Sequence, residues 1–229
     1  MSVKNKVLAA AAALTMAGGL STAGALSASA VTPQCGQGGT QTCIQIFSKA
    51  FGSYASPGFV ETVFLGIPVA GVPTILHSAN STDPAEDLLS IGGLVSQFYA
   101  KGMVSAAVNA HYGTEKAAQI EYAPHGKPTG LCAALARTAY QGEGLTLQPC
   151  SRPGVTVFII DTADSPATAP AYFPIVNAST TDFIHPFAMT FAGKADPAHR
   201  LFPQIKIGHL IGNPAAVPDS QLWGAITSS

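Results

Sequence analysis

The sequence predicts an all-β domain, and three observations lead there. Seventeen prolines and twenty-three glycines in 229 residues leave little room for long helices. The apolar residues fall in short runs, several with the two-residue period of a half-buried strand. Four cysteines bracket short glycine-containing turns, as in exported β domains stapled by disulfides.

The hairpin GLCAALARTAYQGEGLTLQPC, residues 130–150, organises the rest. It reads as a strand, a polar turn at Gln141-Gly142-Glu143-Gly144 and a second strand. In that second strand Leu145 and Leu147 alternate with Thr146 and Gln148. A cysteine stands at each end.

Taken in order, residues 1–30 read as a secretory signal peptide. Lys4 and Lys6 form a basic start, residues 7–13 are unbroken apolar, and Ala28-Ser29-Ala30 is an A-x-A-type cleavage site. A membrane anchor fits less well, because Gly18, Gly19, Ser21 and Thr22 interrupt the apolar run short of the ~20 residues a span needs. No twin-arginine pair is present, which points to the general secretory pathway. Removal of both lysines leaves nine Lys+Arg against twelve Asp+Glu, a net charge of −3. No basic patch or charge run appears, so neither nucleic acid nor an anionic membrane is an expected partner. A monomeric protein outside the cell is expected.

Residues 31–71 read as N-terminal strands with a disulfide loop: Ile44, Ile46 and Phe47 in a first strand and FVETVFL in a second, with GIPVAGVP, from Gly66 to Pro73, as a turn followed by another apolar strand start. Residues 72–229 read as repeats packed with this part as one domain. PAEDLL, with Asp83 as N-cap, is a short helical candidate. Residues 92–112 contain Gly102 between two apolar runs and read as a hairpin, with an amphipathic helix over 94–101 as the alternative. Residues 155–160 read as a fully apolar strand.

Of the three possible disulfide pairings, the local one, Cys35 with Cys43 and Cys132 with Cys150, is favoured by spacing. The second link should stabilise by ~3 kcal/mol by constraining the unfolded chain. Free buried thiols are the alternative. No C-x-x-C pair suggests zinc.

Three segments, starting at Pro73, Gln119 and Phe173, share a plan of apolar strand, polar turn, apolar strand, each followed by another alternating run. A unit of four short strands repeated three times is the plan of a β-trefoil-like barrel of three pseudo-repeats, with short helical turns only.

The Gly-Leu-Cys…Gln-Pro-Cys element, with Gln221-Leu222-Trp223 near the C-terminus, resembles the ricin-B-type trefoil lectins. In that family a repeat carries a G-x-C-L-D-V start, a second cysteine, and a Q-x-W whose tryptophan fills the barrel core. Cys132, Cys150, Gln221 and Trp223 match these positions over roughly a quarter of the chain. The resemblance implies a trefoil with Trp223 in the core; an exposed sugar platform is the other reading of that residue. The family's sugar-binding Asp would fall near Ala133 and Ala134, where no carboxylate stands. The chain is also similar to uncharacterised bacterial secreted trefoil-like proteins, which implies no established activity.

Candidate site residues come from the polar turns. Asp161 and Asp164 follow the apolar run 155–160, and Asp182 follows Ser179-Thr180-Thr181. Short carboxylates in turns usually bond their own backbone. In a binding role they would orient ligand hydroxyls, with Tyr122, Tyr172 or Tyr112 stacking nearby. Asn80 and Asn177 head glycosylation sequons, which a bacterial-type signal makes coincidental. The six histidines are scattered singly, so no metal site or other cofactor is expected. No G-x-S-x-G occurs, and no catalytic residue is assigned.

These readings support a non-catalytic binding module acting on an extracellular glycan. A secreted hydrolase with an unrecognised active site, or a trefoil-type protease inhibitor presenting an exposed loop, are the alternatives.

Overall fold

A computed structural model describes residues 42–50, 58–62, 68–78, 84–169, 171–191, 203–211 and 216–228. The signal segment, Cys35, Asn80 and Asp83 lie outside the described residues. Among the described residues the architecture is mostly antiparallel β-sheet with two short α-helices and a few 3₁₀ turns.

The described residues hold twelve strands, in order: β1 (Thr42–Ser48), β2 (Gly58–Thr62), β3 (Thr74–Ser78), β4 (Leu88–Leu94), β5 (Lys116–Tyr122), β6 (Leu131–Ala134), β7 (Thr146–Pro149), β8 (Phe158–Ile160), β9 (Ile175–Asn177), β10 (Phe187–Thr190), β11 (Lys206–His209) and β12 (Trp223–Ser228). The main path of pairings runs β11-β10-β9-β8-β5-β4-β1-β12 and is open, with the β6–β7 hairpin branching from β5 and β2–β3 forming a separate pair. One further bridge joins β12 to the chain just ahead of β9: Phe173 and Trp223 exchange both backbone hydrogen bonds, each of 2.9 Å.

The expected hairpin over 92–112 is instead two helices, α1 (Val95–Ala100) and α2 (Ala106–Tyr112). α1 falls within the 94–101 helix that the sequence offers as the alternative. Gly102, at φ +71°, ends the first helix in a conformation that favours glycine. Ser105 caps the second by accepting the Val108 N–H at 3.2 Å. Val95 and Phe98, with Val108 and Tyr112, sit three and four residues apart and are all buried, which is helical rather than strand spacing. PAEDLL contains a single 3₁₀ turn, Pro84–Glu86, and then becomes β4. The apolar run 155–160 is strand only over Phe158–Ile160.

Alternation along the strands splits the interior into two cores. Ile44, Ile46, Ile120, Tyr122, Phe158, Ile160, Ile175 and Trp223 face one core. Ala117, Val157, Ile159, Val176, Ala188 and Leu222 point to the opposite face, where α1 and α2 cover them. These strands are therefore buried on both sides, which explains their near-continuous apolar runs. Ile44 and Ile46 share the first core with strands from the rest of the chain, so the N-terminal strand and the later ones form one packing unit.

Three hairpins meet at one end. Their contact is a closed ring of backbone bonds: Thr74 N–H to Leu145 C=O (2.9 Å), Leu145 N–H to Ile205 C=O (2.7 Å) and Ile205 N–H to Thr74 C=O (2.9 Å). A second regularity concerns β4, β8 and β12. Each opens on a buried apolar residue, Leu88, Phe158 or Trp223, and each has a buried polar residue two positions earlier, Glu86, Thr156 or Gln221. The repeat start expected at Pro73 is out of phase with these. Pro73 stands at the edge of β3, whereas Gln119 lies in β5 and Phe173 just before β9.

The 130–150 hairpin is as expected. β6 and β7 pair from Leu131–Pro149 to Ala134–Thr146, and Cys132 and Cys150 are joined, with Cα atoms 4.9 Å apart. Cys43 is also disulfide-bonded; the partner expected from the sequence, Cys35, lies outside the described residues. No described helix is long and apolar enough to cross a membrane.

Candidate functional site

Two of the polar turns singled out in the sequence stand after β8 and before β10. The first, 161–165, follows β8 as its apolar residues run out. Asp161 is 4% exposed, its carboxylate accepting the Asp164 N–H at 3.2 Å. Burial raises its pKa to about 6, and the nearby charge of Asp164 adds to the effect. Thr162 donates to Glu115 Oε2 at 3.2 Å, tying the turn to the segment that enters β5. Tyr112, at the end of α2, is pushed up by burial first and then by Asp161, Asp164 and Glu115, so its phenol keeps its proton.

The second turn, 180–185, precedes β10. Asp182 Oδ1 accepts the N–H groups of Ile184 and His185, both at 2.9 Å. Those amides, His185 first, hold its pKa below the usual carboxylate value. Thr180 donates to the Asp182 carbonyl at 3.0 Å and accepts the Phe187 N–H at 3.3 Å. The turn therefore has a fixed shape, and Ile184 stands 83% exposed at its tip. Phe183 connects the two turns: its ring lies 5.0 Å from His111 and 6.3 Å from Tyr112, centroid to centroid. Asp161 and Asp164 thus lie near the Tyr112 end of this aromatic group, while Asp182 faces the amides of Ile184 and His185.

The other two candidates lie elsewhere. Tyr122 is fully buried in the first core, so its ring cannot stack on a ligand. Its place in β5 faces inward by the same alternation as Ile120. Tyr172 is half-buried and meets Phe47 edge-on at 5.9 Å. Lys49 Nζ lies 6.0 Å from its ring centroid and pairs with Asp219 at 2.5 Å. Ala133 and Ala134, where the lectin resemblance would place a carboxylate, are both buried alanines.

Trp223 is fully buried and donates its indole N–H to the Met189 carbonyl at 2.8 Å. It is a core residue. Gln221 is buried beside it and ties down the ends of β10 and β11. It donates to Thr190 Oγ1 (3.0 Å) and to the His209 carbonyl (2.9 Å), and it accepts the Ile211 N–H (3.2 Å). Thr156 makes the corresponding bonds near the end of β7, to the carbonyls of Arg152 (2.7 Å) and Cys150 (3.3 Å). Asn177, in the second sequon, is fully buried and bonded to Val155 and Ser179, so its amide is closed to glycosylation.

Sequence reasoning overlooked the loop 135–145 between β6 and β7 as a site. Glu143 is 5% exposed; Oε1 accepts the Arg137 N–H at 3.3 Å, while Oε2 is buried without a hydrogen-bond partner. Burial raises its pKa. Arg152 donates to the Ala136 carbonyl at 2.6 Å, Ser179 Oγ accepts the Ala139 N–H at 2.9 Å, and Gln141 Oε1 accepts the His209 N–H at 2.9 Å. Two arginines, one within this hairpin's loop and one just after its second strand, in a chain with so few charges, are the available signal. Among the described residues no three His, Cys, Asp or Glu side chains are grouped to hold a metal ion.

No protein-family model and no curated protein matches the chain. Among solved structures, it is similar to a Caenorhabditis elegans protein of unknown function, at 7% identity and a TM-score of 0.46, over 81% of this chain and 93% of that one. It is also similar to the SDF2-like protein from Arabidopsis thaliana, at 7% identity and a TM-score of 0.41, over 81% and 92% of the two chains.

Proposed function

We propose that this chain is a secreted, non-catalytic binding module of the β-trefoil plan that engages an extracellular glycan. For the fold, three features support the reading. They are the cyclic hydrogen bonds among Thr74, Leu145 and Ile205, the matched openings of β4, β8 and β12, and the Phe173–Trp223 bridge. With that bridge, β1, β4, β5, β8, β9 and β12 would run in a six-membered circle, and the other six strands would form three capping hairpins. The signal segment and the Cys132–Cys150 link support export.

One observation carries the function: the polar side chains of the turns hold the turns themselves. Asp161, Asp182, Asn177 and Glu143 each accept backbone N–H groups of their own loop. The exposed residues between them are displayed on fixed backbone, and fixed display lowers the ordering cost of binding. Immobilised-glycan binding, run beside a hydrolysis assay on the same glycans, tests this. Retention of a glycan that is recovered intact is expected; release of cleaved product would refute the non-catalytic reading.

A protein partner is favoured by one feature, Ile184, which the Asp182 turn holds out at 83% exposure. If a protease or other protein docks there, Ile184→Asp should abolish its capture and leave glycan retention intact. Unchanged capture by that variant would remove this second reading.

A further inference from the structure

We propose that the loop between β6 and β7 is an anion-recognition platform, on which Arg137 and Tyr140 take the acidic group of a sugar. The inference rests on the glycan reading above and names the ligand class and the residues.

The loop has no regular secondary structure, yet it is anchored from several sides. Arg152 holds the carbonyl of Ala136, Glu143 holds the amide of Arg137, Ser179 holds the amide of Ala139, and Gly142 donates to the Ile207 carbonyl. On this frame Arg137 lies over the Tyr140 ring, 4.3 Å from its centroid, and donates to the Tyr140 hydroxyl at 2.9 Å. The stack orients a guanidinium that is exposed and that bonds to no carboxylate among the described residues. Its remaining N–H groups form a planar fork suited to a carboxylate or phosphate.

Charge placement points the same way. Arg137 and Arg152 are the two arginines among the described residues. Lys206 joins them from β11, through the bridge between Lys206 and Gly144, and is exposed. The acidic residues Glu115, Asp161 and Asp164 group around Tyr112 instead. The one carboxylate in the loop, Glu143, is turned inward and buried.

The exposed side chains of the loop are Ala136, Arg137, Thr138, Tyr140 and Gln141. None is a large aliphatic, so the surface lacks the apolar anchor a protein partner usually fills. It does offer an aromatic ring, a hydroxyl and an amide beside a cation. Those groups fit an acidic sugar.

Titration calorimetry of the secreted protein would use three probes: an oligogalacturonate, a neutral galactan of equal length and a phosphodiester-linked glycan. An acidic probe should bind in preference to the neutral one, more weakly as salt is raised. Preference for the oligogalacturonate would assign the group as carboxylate, and preference for the phosphodiester glycan as phosphate. Arg137→Ala should weaken binding by about tenfold to a hundredfold, with an unchanged melting temperature. Arg137→Lys should fall between, because an ammonium lacks the fork. Wild-type affinity in Arg137→Ala, or equal binding of the neutral galactan, would overturn the platform while leaving the glycan reading intact. A folded wild-type protein that binds none of the three would overturn both.

Discussion

Asp161 offers the most direct test of the electrostatics around the aromatic patch. Its carboxyl is 4% exposed and titrates near 6, against a reference value of 3.8. A carboxyl whose pKa is raised by folding binds its proton more tightly in the folded chain than in the unfolded one. It therefore lowers stability when ionised, above the folded pKa. That penalty is relieved as pH falls through 6 and is gone below the unfolded value. Two pKa units correspond to about 3 kcal/mol at neutral pH, taken as an upper bound because solvent reaches part of the site. Asp161→Asn removes the charge and keeps an oxygen to accept the Asp164 N–H. The variant should be more stable than the wild type at pH 7.5, by up to about 3 kcal/mol, and the two should converge near pH 4. Urea unfolding at several pH values measures the difference, and taking it between the two proteins cancels Asp182 and Glu143, which titrate in both. A variant less stable than the wild type at pH 7.5, or a difference that does not change with pH, would refute the argument.

Three further perturbations test the packing. Trp223→Ala should lose about 3–5 kcal/mol by transfer and cavity effects. Wild-type fluorescence should be blue-shifted and resistant to iodide until denaturant is added. Gly224 lies against the ring of Phe47, where an added Cβ would sit 2.4 Å from a ring carbon. Gly224→Ala should therefore cost roughly 1–3 kcal/mol, seen as a lower thermal midpoint, and Phe47→Leu should restore part of it. Cys132→Ser should cost about 2–5 kcal/mol, and non-reducing peptide mapping of the wild type should recover Cys132 linked to Cys150.

What was legible in the sequence was whatever depends on local pattern. The β6–β7 hairpin was readable because Leu145 and Leu147 alternate with Thr146 and Gln148 and face one core. The core place of Trp223 was readable through its Q-x-W setting. Residues 92–112 were misread because Gly102 can mark a hairpin turn as well as a helix end, and only the burial of Val95, Phe98, Val108 and Tyr112 together decides between them. Tyr122 was misassigned for a related reason. Next to a polar turn it resembled a surface aromatic, but its strand position points it inward with Ile120. Among the site residues, Asp161 and Asp182 stand in turns as read from the sequence, yet nothing local reveals that Phe183 packs near Tyr112, which Asp161 neighbours. The anchoring of the β6–β7 loop is less visible still, since Ser179 reaches it across 40 residues of sequence and its own Gln141 holds His209 across 68.

The openings of β4, β8 and β12 illustrate how unlike residues can meet one structural demand. Leu88, Phe158 and Trp223 open three strands and fill one core, but they share only apolarity and burial. Glu86, Thr156 and Gln221, two residues earlier, share only polarity and burial. Gln221 reaches three partners across β10 and β11, whereas the shorter Thr156 reaches carbonyls close by in its own loop and leaves Gln119 to supply a further bond at 2.8 Å. One glutamine near the ends of β10 and β11, and a threonine joined by a glutamine of β5 near the end of β7, can thus satisfy similar buried strand ends. The constraint acts on volume and on hydrogen-bond satisfaction, and several residue types meet each demand. Residue identity can then differ among the three strand openings while the hydrogen-bonded ring of Thr74, Leu145 and Ile205, which is made by backbone atoms alone, places no demand on side chains at all.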